Sequence, residues 1–524
     1  MGYRPNLMYE NNSWSNVVLI LSGNMANTLA PKSGILYLKS KFFLIRVVTY
    51  FSFLLLPIWI PKTMLASPAL QAVAISLFIL FICSQWFFLG KEIDHRLKIY
   101  FRVNSSMDRL VYRVFLGMFF FFIYFNFLSY LPGKWIYNAF WITWASLGIF
   151  YSWPTRGKII RESMSSNFTE FRYLDSFEKT LVTLILTLFI FSIPDLPTIN
   201  NQEALKLFFD PNEHISPIYW NFLKVNYYPF LKYEDLFRLA WSLHFYFVNL
   251  GLFLFCFYAL LRFILSRRLA LLGIFALLSS WSWTKLLVAD FGASITTTYS
   301  LLWVWSLLWV IRSSTYRTGL FFGLVGMYGV LINKLWFALW VPHLILIFYF
   351  LNDKTNWFKR QLFRYASFGL VLSLLIVLVT TTRNFSMINL GHSYLEEIST
   401  IFQRKAFFAL SPLGLILGFM VYKDFNWSLL KNFKLDKDYL RYTGVSVVIL
   451  SLFNLVTGSG IFGGFSIMWM LTTLSLIPLE LIFQTMSRFR SSRNMIYLIY
   501  ILICLLDSHF EGRVKVILRT FQQW

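Results

Sequence analysis

The sequence predicts an all-α, polytopic integral membrane protein with about fifteen transmembrane helices. Three observations carry that expectation. Of 524 residues, 57% are hydrophobic and only 14% are charged. The apolar residues fall in runs of roughly 15 to 22, each long enough to cross a hydrocarbon core of about 30 Å as a helix. The runs are separated by short charged loops whose basic residues alternate from one loop to the next. Backbone amides in lipid must find partners within their own segment, so runs of this length read as helices.

Taken in order, the runs are expected near 42–60, 68–90, 112–131, 135–152, 179–194, 243–264, 269–287, 297–312, 318–333, 335–351, 365–381, 406–422, 442–457, 465–484 and 494–507. The stretch from Val17 to Leu29 is weakly apolar and fits either a span or a surface segment. Residues 1 to 41 lack the layout of a signal peptide. Cys83, Cys256 and Cys504 lie far apart within apolar runs. They read as buried small hydrophobes, and neither a disulfide framework nor a thiolate metal site is indicated.

The net charge of +23 would suggest nucleic acid in a water-soluble chain. Here the Lys and Arg residues gather in every second loop, which is the positive-inside pattern and reports orientation. Lys91, Arg96, Lys98, Arg102, Arg109 and Arg113 fill the loop 91–113, and Arg156, Lys158, Arg161 and Arg172 fill 153–178. The same alternation then places Arg267 and Arg268, Arg312 and Arg317, and Arg488 to Arg493 on that side without a slip of register. The expected location is a bacterial cytoplasmic membrane, with no nucleic-acid partner and with membrane lipids as neighbours.

The segment 195–242 falls on the opposite side and has another composition. It holds Asp195, Glu203, Asp210, Glu213, Glu234 and Asp235, a quarter of the chain's 24 acidic residues. A second outer segment, 382–405, carries Arg383, His392, Glu396, Glu397 and Arg404. Plain solvation of an acidic loop and the roof of a polar cavity are both open readings of this composition alone.

The order of residues adds to it. Gln202-Glu203-Ala204 is followed by Glu213-His214-Ile215-Ser216-Pro217-Ile218-Tyr219-Trp220, then by Tyr233-Glu234-Asp235-Leu236-Phe237-Arg238-Leu239. Beyond Ser266-Arg267-Arg268 come Asp290-Phe291-Gly292-Ala293 and a Gly-rich run from Gly319 that leads to Lys334 and Trp336. From about 172 to 350 this resembles the family C (GT-C) glycosyltransferases, polytopic enzymes that take sugars from polyprenyl-phosphate carriers. The resemblance implies a GT-C-like core at 172–364 with its long non-cytoplasmic loop after the first core helix. It leaves 1–171 as an N-terminal transmembrane module and 365–524 as C-terminal helices. The sequence departs from the family where Gln202 stands for the first acid of a pair and Ile215-Ser216-Pro217 replaces a Pro-Pro step.

The resemblance implies a catalytic carboxylate among Glu203, Asp195 and Asp210, in that order of preference. A carboxylate near the bilayer surface has its pKa raised by desolvation towards the working range of a general base. Glu213, His214, Tyr219 and Asp290 are the implied sugar contacts. Arg238, Lys334 and Arg383 are the implied cations for the anionic carrier, Arg being suited to bidentate phosphate binding. Glu213 and His214 also suit a divalent metal, with a structural hydrogen bond as the other reading. Trp220, Tyr227 and Tyr228 are expected at the outer surface. His244 and His343 are expected to be packing histidines. A transporter or glycan flippase, and a non-catalytic GT-C-like scaffold, are the competing expectations.

Overall fold

The computed structural model describes residues 32–62, 68–97, 106–129, 131–153, 173–191, 217–279, 291–313, 316–332 and 490–507, with isolated positions between 371 and 480. The described residues form helices joined by short turns, and none of them lies in a strand. The chain divides into two compact units, one of Met1–Leu55 with Trp141–Ser163 and one of Leu56–Phe140 with Met164–Trp524.

In the first unit, α1 (Lys32–Leu54) is tied to the second half of α5 (Gly133–Ser152). The Tyr50 hydroxyl donates to the Trp144 carbonyl at 2.9 Å. Gly148 lets the Tyr50 ring lie against the α5 backbone, since a Cβ there would strike that ring.

The second unit opens with α2 (Leu56–Lys62), set off from α1 by a turn at Leu55. Pro57 causes that break, because it has no N–H to donate and its ring clashes with the preceding turn. α3 (Pro68–Leu97) starts on a proline, which suits the first helical position. α4 (Ser106–Leu128) runs back along it. The two cross at backbone contact: a Cβ on Gly90 would fall onto the Arg113 carbonyl, and one on Gly117 onto the Trp86 carbonyl. Asp94 and Arg113 close the same crossing with an ion pair at 3.0 Å.

α6 (Ser176–Phe191) begins with a capping box. The Glu178 N–H donates to Asp175 Oδ1 at 2.8 Å, and the Asp175 N–H donates to Glu178 Oε2 at 2.9 Å. The same two carboxylates receive the start of α10 (Arg267–Ser279). Arg267 holds both Glu178 oxygens at 2.8 and 2.7 Å. Arg268 Nε reaches Asp175 Oδ2 at 3.0 Å. Burial alone would raise the Asp175 carboxyl, but the Glu178 N–H and the Arg268 and Arg267 guanidiniums outweigh it and hold that carboxyl below the usual carboxylate range.

A depressed folded pKa stabilises above the unfolded value, near 3.9, and that contribution is lost as pH falls through the folded value. The Asp175 pair is therefore expected to persist at neutral pH and to give way only in acid. Glu178 is the more buried of the two acids. Glu178→Ala is expected to cost about 3 kcal/mol, because it strands Arg267 and removes half of the capping box. Thermal unfolding in detergent reads it, and Glu178→Gln is expected to lose less.

The rest of the second unit is α7 (Pro217–Asn226), a 3-10 turn at Tyr228–Phe230, α8 (Glu234–His244), α9 (Gly251–Ile264), α11 (Phe291–Ser313), α12 (Tyr316–Ile332) and α13 (Arg490–Asp507). A π-helical turn, Phe245–Leu250, joins α8 to α9 so that residues 234–264 run as one helix. Among the described residues, three segments are long and apolar enough to cross a membrane: Leu70–Arg96, Met107–Leu128 and Asp235–Phe263. Their exposed residues are apolar too. Leu70, Val73, Leu77 and Leu80 line one face of α3, and Met495, Leu498, Ile499 and Leu502 line one face of α13. Stripes of this kind suit a lipid boundary and would be a liability in water.

The expected span near 42–60 is divided at Leu55 into α1 and α2; apart from that break, the expected helix order agrees with these elements as far as they are described. The expected spans between 335 and 484 lie outside the described residues, apart from isolated positions. The segment 195–242 differs in its second half, where α7 and α8 are packed into the second unit rather than looped over it. Tyr219, Phe222, Leu223 and Val225 are all buried. The apolar face of each short helix accounts for this, since it needs a core to cover it.

Candidate functional site

A buried set of hydrogen-bonded, uncharged polar side chains lies where α7 meets the end of α8. Tyr219 on α7 and Tyr227, just beyond it, both reach His244, the last residue of α8. Tyr227 Oη lies 2.6 Å from His244 Nδ1. Tyr219 Oη lies 3.3 Å from His244 Nε2. Tyr219 also donates to Asn249 Oδ1 at 3.4 Å.

One proton arrangement satisfies all three contacts. Tyr219 gives its only proton to Asn249, so it accepts from His244 Nε2–H. His244 Nδ1 is then an acceptor, and Tyr227 donates to it. The line runs from Tyr227 through His244 and Tyr219 to Asn249, and a neutral imidazole completes it. Trp86, Phe222 and Phe245 surround the ring with centroids 6.4, 6.4 and 5.6 Å away. These aromatics exclude water and so strengthen the hydrogen bonds inside.

The local sequence explains the geometry. Pro217 starts α7, and Pro229 fixes the 3-10 turn that returns the chain to α8. Asp235 stands in the first turn of α8, where a carboxylate favours the positive end of the helix dipole. The π turn that follows carries Asn249, whose side-chain oxygen meets Tyr219. Its carbonyl accepts a hydrogen bond from Thr298 of α11 at 3.2 Å.

His244 lies 20 residues before Ile264 on a continuous helix, about 30 Å along the axis. Ile264 sits beside the Arg267 and Arg268 contacts, so the Tyr–His–Tyr cluster is near the other end of that helix. The ion pairs among the described residues join segment ends that the charge alternation expects on one side. Asp94 with Arg113, and Asp175 and Glu178 with Arg268 and Arg267, all follow that rule. The Ser266 N–H donating to Glu480 at 2.9 Å follows it as well.

Of the residues singled out from the sequence, Tyr219 and Arg238 are described. Tyr219 is 1% exposed, and its hydroxyl is engaged within the protein. Arg238 is half-buried on α8, about 9 Å along the axis from His244. Glu203, Asp195, Asp210, Glu213, His214, Asp290, Lys334 and Arg383 lie outside the described residues. Among the described residues no three His, Cys, Asp or Glu side chains gather in a way that could hold a metal.

Tyr227 corrects an expectation. It is buried rather than displayed at the outer surface, because its hydroxyl has His244 for a partner. His244 itself agrees with its reading as a packing histidine. Asn249 was missed, although a lone Asn within an apolar run was a usable signal, since a bare amide in a membrane helix needs a partner.

The cluster has a measurable strength. His244→Phe fills the ring's space but leaves the Tyr227 hydroxyl without its acceptor. It is expected to cost about 2–3 kcal/mol, the price of unsatisfied buried groups. Tyr227→Phe is expected to cost about 1 kcal/mol. The double variant is expected to lose less than the sum, because both ends of the bond are then apolar. Melting temperatures of the four proteins check this, and strict additivity would refute the bond.

No family model matches the chain, and neither a curated protein nor a solved structure matches it.

Proposed function

We propose that the chain is a membrane-embedded, inverting glycosyltransferase that moves a sugar from a polyprenyl-phosphate carrier to a lipid, glycan or protein acceptor. It acts at the non-cytoplasmic face of a cytoplasmic membrane. One observation supports this reading above the others: α7 directly follows the acid-bearing segment 195–216 and is packed inside the second unit, with Tyr219 fixed by His244 and Asn249. A helix fixed in this way gives the segment before it a rigid anchor, which a reacting carboxylate needs.

In this reading Glu203 takes the proton of the acceptor hydroxyl, and Asp195 and Asp210 are the next candidates. The hydroxyl oxygen then attacks the anomeric carbon. The bond from that carbon to the carrier phosphate breaks, and polyprenyl phosphate leaves with the electron pair. Arg238, Lys334 and Arg383 offset its charge. Glu213, His214 and Asp290 orient the sugar, with Glu213 and His214 able to bring a divalent metal. Tyr219, already engaged with His244, holds the segment in place.

The deciding experiment substitutes Glu203 and Asp195 singly and follows sugar transfer from a labelled polyprenyl-phosphate donor. Unchanged transfer in both variants removes the catalytic assignment and leaves a scaffold. A flippase or transporter needs a substrate-sized polar path near the midplane. The cavity lined by Asn249 among the described residues is about 30 Å³, a tenth or less of a small-molecule site of roughly 300–1,000 Å³, and is too small to be that path.

A further inference from the structure

The line of hydrogen bonds does not end on Asn249. Its side-chain oxygen accepts from Tyr219, while its amide nitrogen is buried and has no hydrogen-bond partner among the described residues. The residue itself is 95% buried by its 5% exposure. A buried donor left unsatisfied loses its hydration without replacement, so a partner there is strongly favoured. Asn249 lines a cavity of about 30 Å³ between α4, α9, α11 and α12. Thr298 and Tyr328 line it as well, and so do Met118 and Cys256.

We infer that this cavity is a binding site for one or two ordered water molecules, held by the Asn249 amide. The size fits, since one buried water needs roughly 10–15 Å³ of this kind of space. A buried water needs two to four polar partners, and in a lining that is otherwise apolar these can come only from Asn249, Thr298, Tyr299 and Tyr328. The Asn249 nitrogen donates to the first water. The Thr298 hydroxyl already gives its proton to the Asn249 carbonyl, so its oxygen accepts from water. Tyr328 supplies a further hydroxyl in the lining. Tyr299 spends its proton on the Val325 carbonyl at 2.7 Å and can only accept.

Asn249 belongs to the π turn, and from there it meets both Tyr219 and the cavity. Water in that place extends the line from Tyr227 to the middle of the helix, about 22 Å from Ile264 by the 15-residue separation. The site would exist whether or not the chain transfers sugars.

Microsecond X-ray radiolysis of the full chain in lipid nanodiscs tests it, because hydroxyl radicals born from a bound water oxidise the side chains touching it. Cys256 and Met118 line the cavity, whereas Cys504 on α13 is equally buried and does not. Cys256 and Met118 are expected to oxidise several-fold faster than Cys504. Equal rates in the unaltered protein would overturn the inference and mark the cavity as dry. In Asn249→Leu the difference is expected to vanish, and its persistence in a folded variant would overturn the role of the amide. If that variant does not fold, the comparison within the unaltered protein still decides.

Discussion

Gly117→Leu is expected to abolish recovery of folded protein, while Gly251→Ala, also within a helix, is expected to be neutral or slightly stabilising. The difference lies in what each new side chain meets. A Cβ at Gly117 would sit on the Trp86 carbonyl of α3, and a Cβ at Gly251 meets nothing within 4 Å. Overpacking a core ordinarily costs about 1–3 kcal/mol, because side chains can move aside. Here the obstacle is backbone, so α3 and α4 must separate.

Separation would break the Asp94–Arg113 ion pair and, with α7 staying packed on α4, pull Trp86 of α3 away from Phe222, whose centroids are 5.9 Å apart. The combined loss is on the order of 5 kcal/mol, at the extreme of single substitutions. At Gly251 the gain is the helix propensity of Ala over Gly, about 1 kcal/mol. Even Gly117→Ala is expected to lower the melting temperature strongly. A Gly117→Ala protein as stable as the parent would mean that the crossing is not in backbone contact. Gly90→Ala provides the reciprocal check from the other helix, since its Cβ meets the Arg113 carbonyl.

Neither glycine was legible as a contact from the sequence. Each stands alone in its helix, without a second small residue four positions away to suggest a close crossing. What was legible was the order of helices, because a long apolar run can be satisfied only by its own backbone hydrogen bonds. The ends were less so. α3 continues past the apolar run to Leu97, and α4 starts at Ser106. A helix need not stop where hydrocarbon stops, so hydropathy alone under-reads both.

The segment 217–244 was harder, for a different reason. Its apolar residues are interleaved with Lys224, Lys232 and Arg238, which lowers its hydropathy below that of a span. Only its packing against α3 and α4 makes it part of the core. The π turn left no mark at all, since it arises from the fit of α8 and α9 to their neighbours. Charge was the opposite case. Asp175, Glu178, Arg267 and Arg268 are far apart in sequence, yet the alternation of basic loops put them on one side, and they meet there.

The largest effect on activity is expected from Glu203→Gln, which keeps the shape of the side chain and removes its basicity. If Glu203 is the base in sugar transfer, the rate should fall by about 10²–10⁴, the usual worth of a positioned general base. Donor binding should change far less, because in the proposed reading the cations and not the carboxylate would hold the carrier phosphate. The melting temperature should be unchanged, since Gln keeps the size and shape of Glu. That combination separates loss of a base from loss of fold, which would lower rate and stability together. Asp195→Asn is the matched comparison: Asp195 lies four residues beyond the end of α6, and Gln202 leaves Glu203 without the acidic neighbour that the GT-C family carries there. Should Asp195→Asn lose the rate and Glu203→Gln retain it, the base sits at the end of α6 rather than in the middle of the acidic segment. Should His244→Phe also slow transfer while the folded fraction is held constant, the anchored α7 positions that base, and the buried Tyr–His–Tyr line acts on the chemistry through Tyr219.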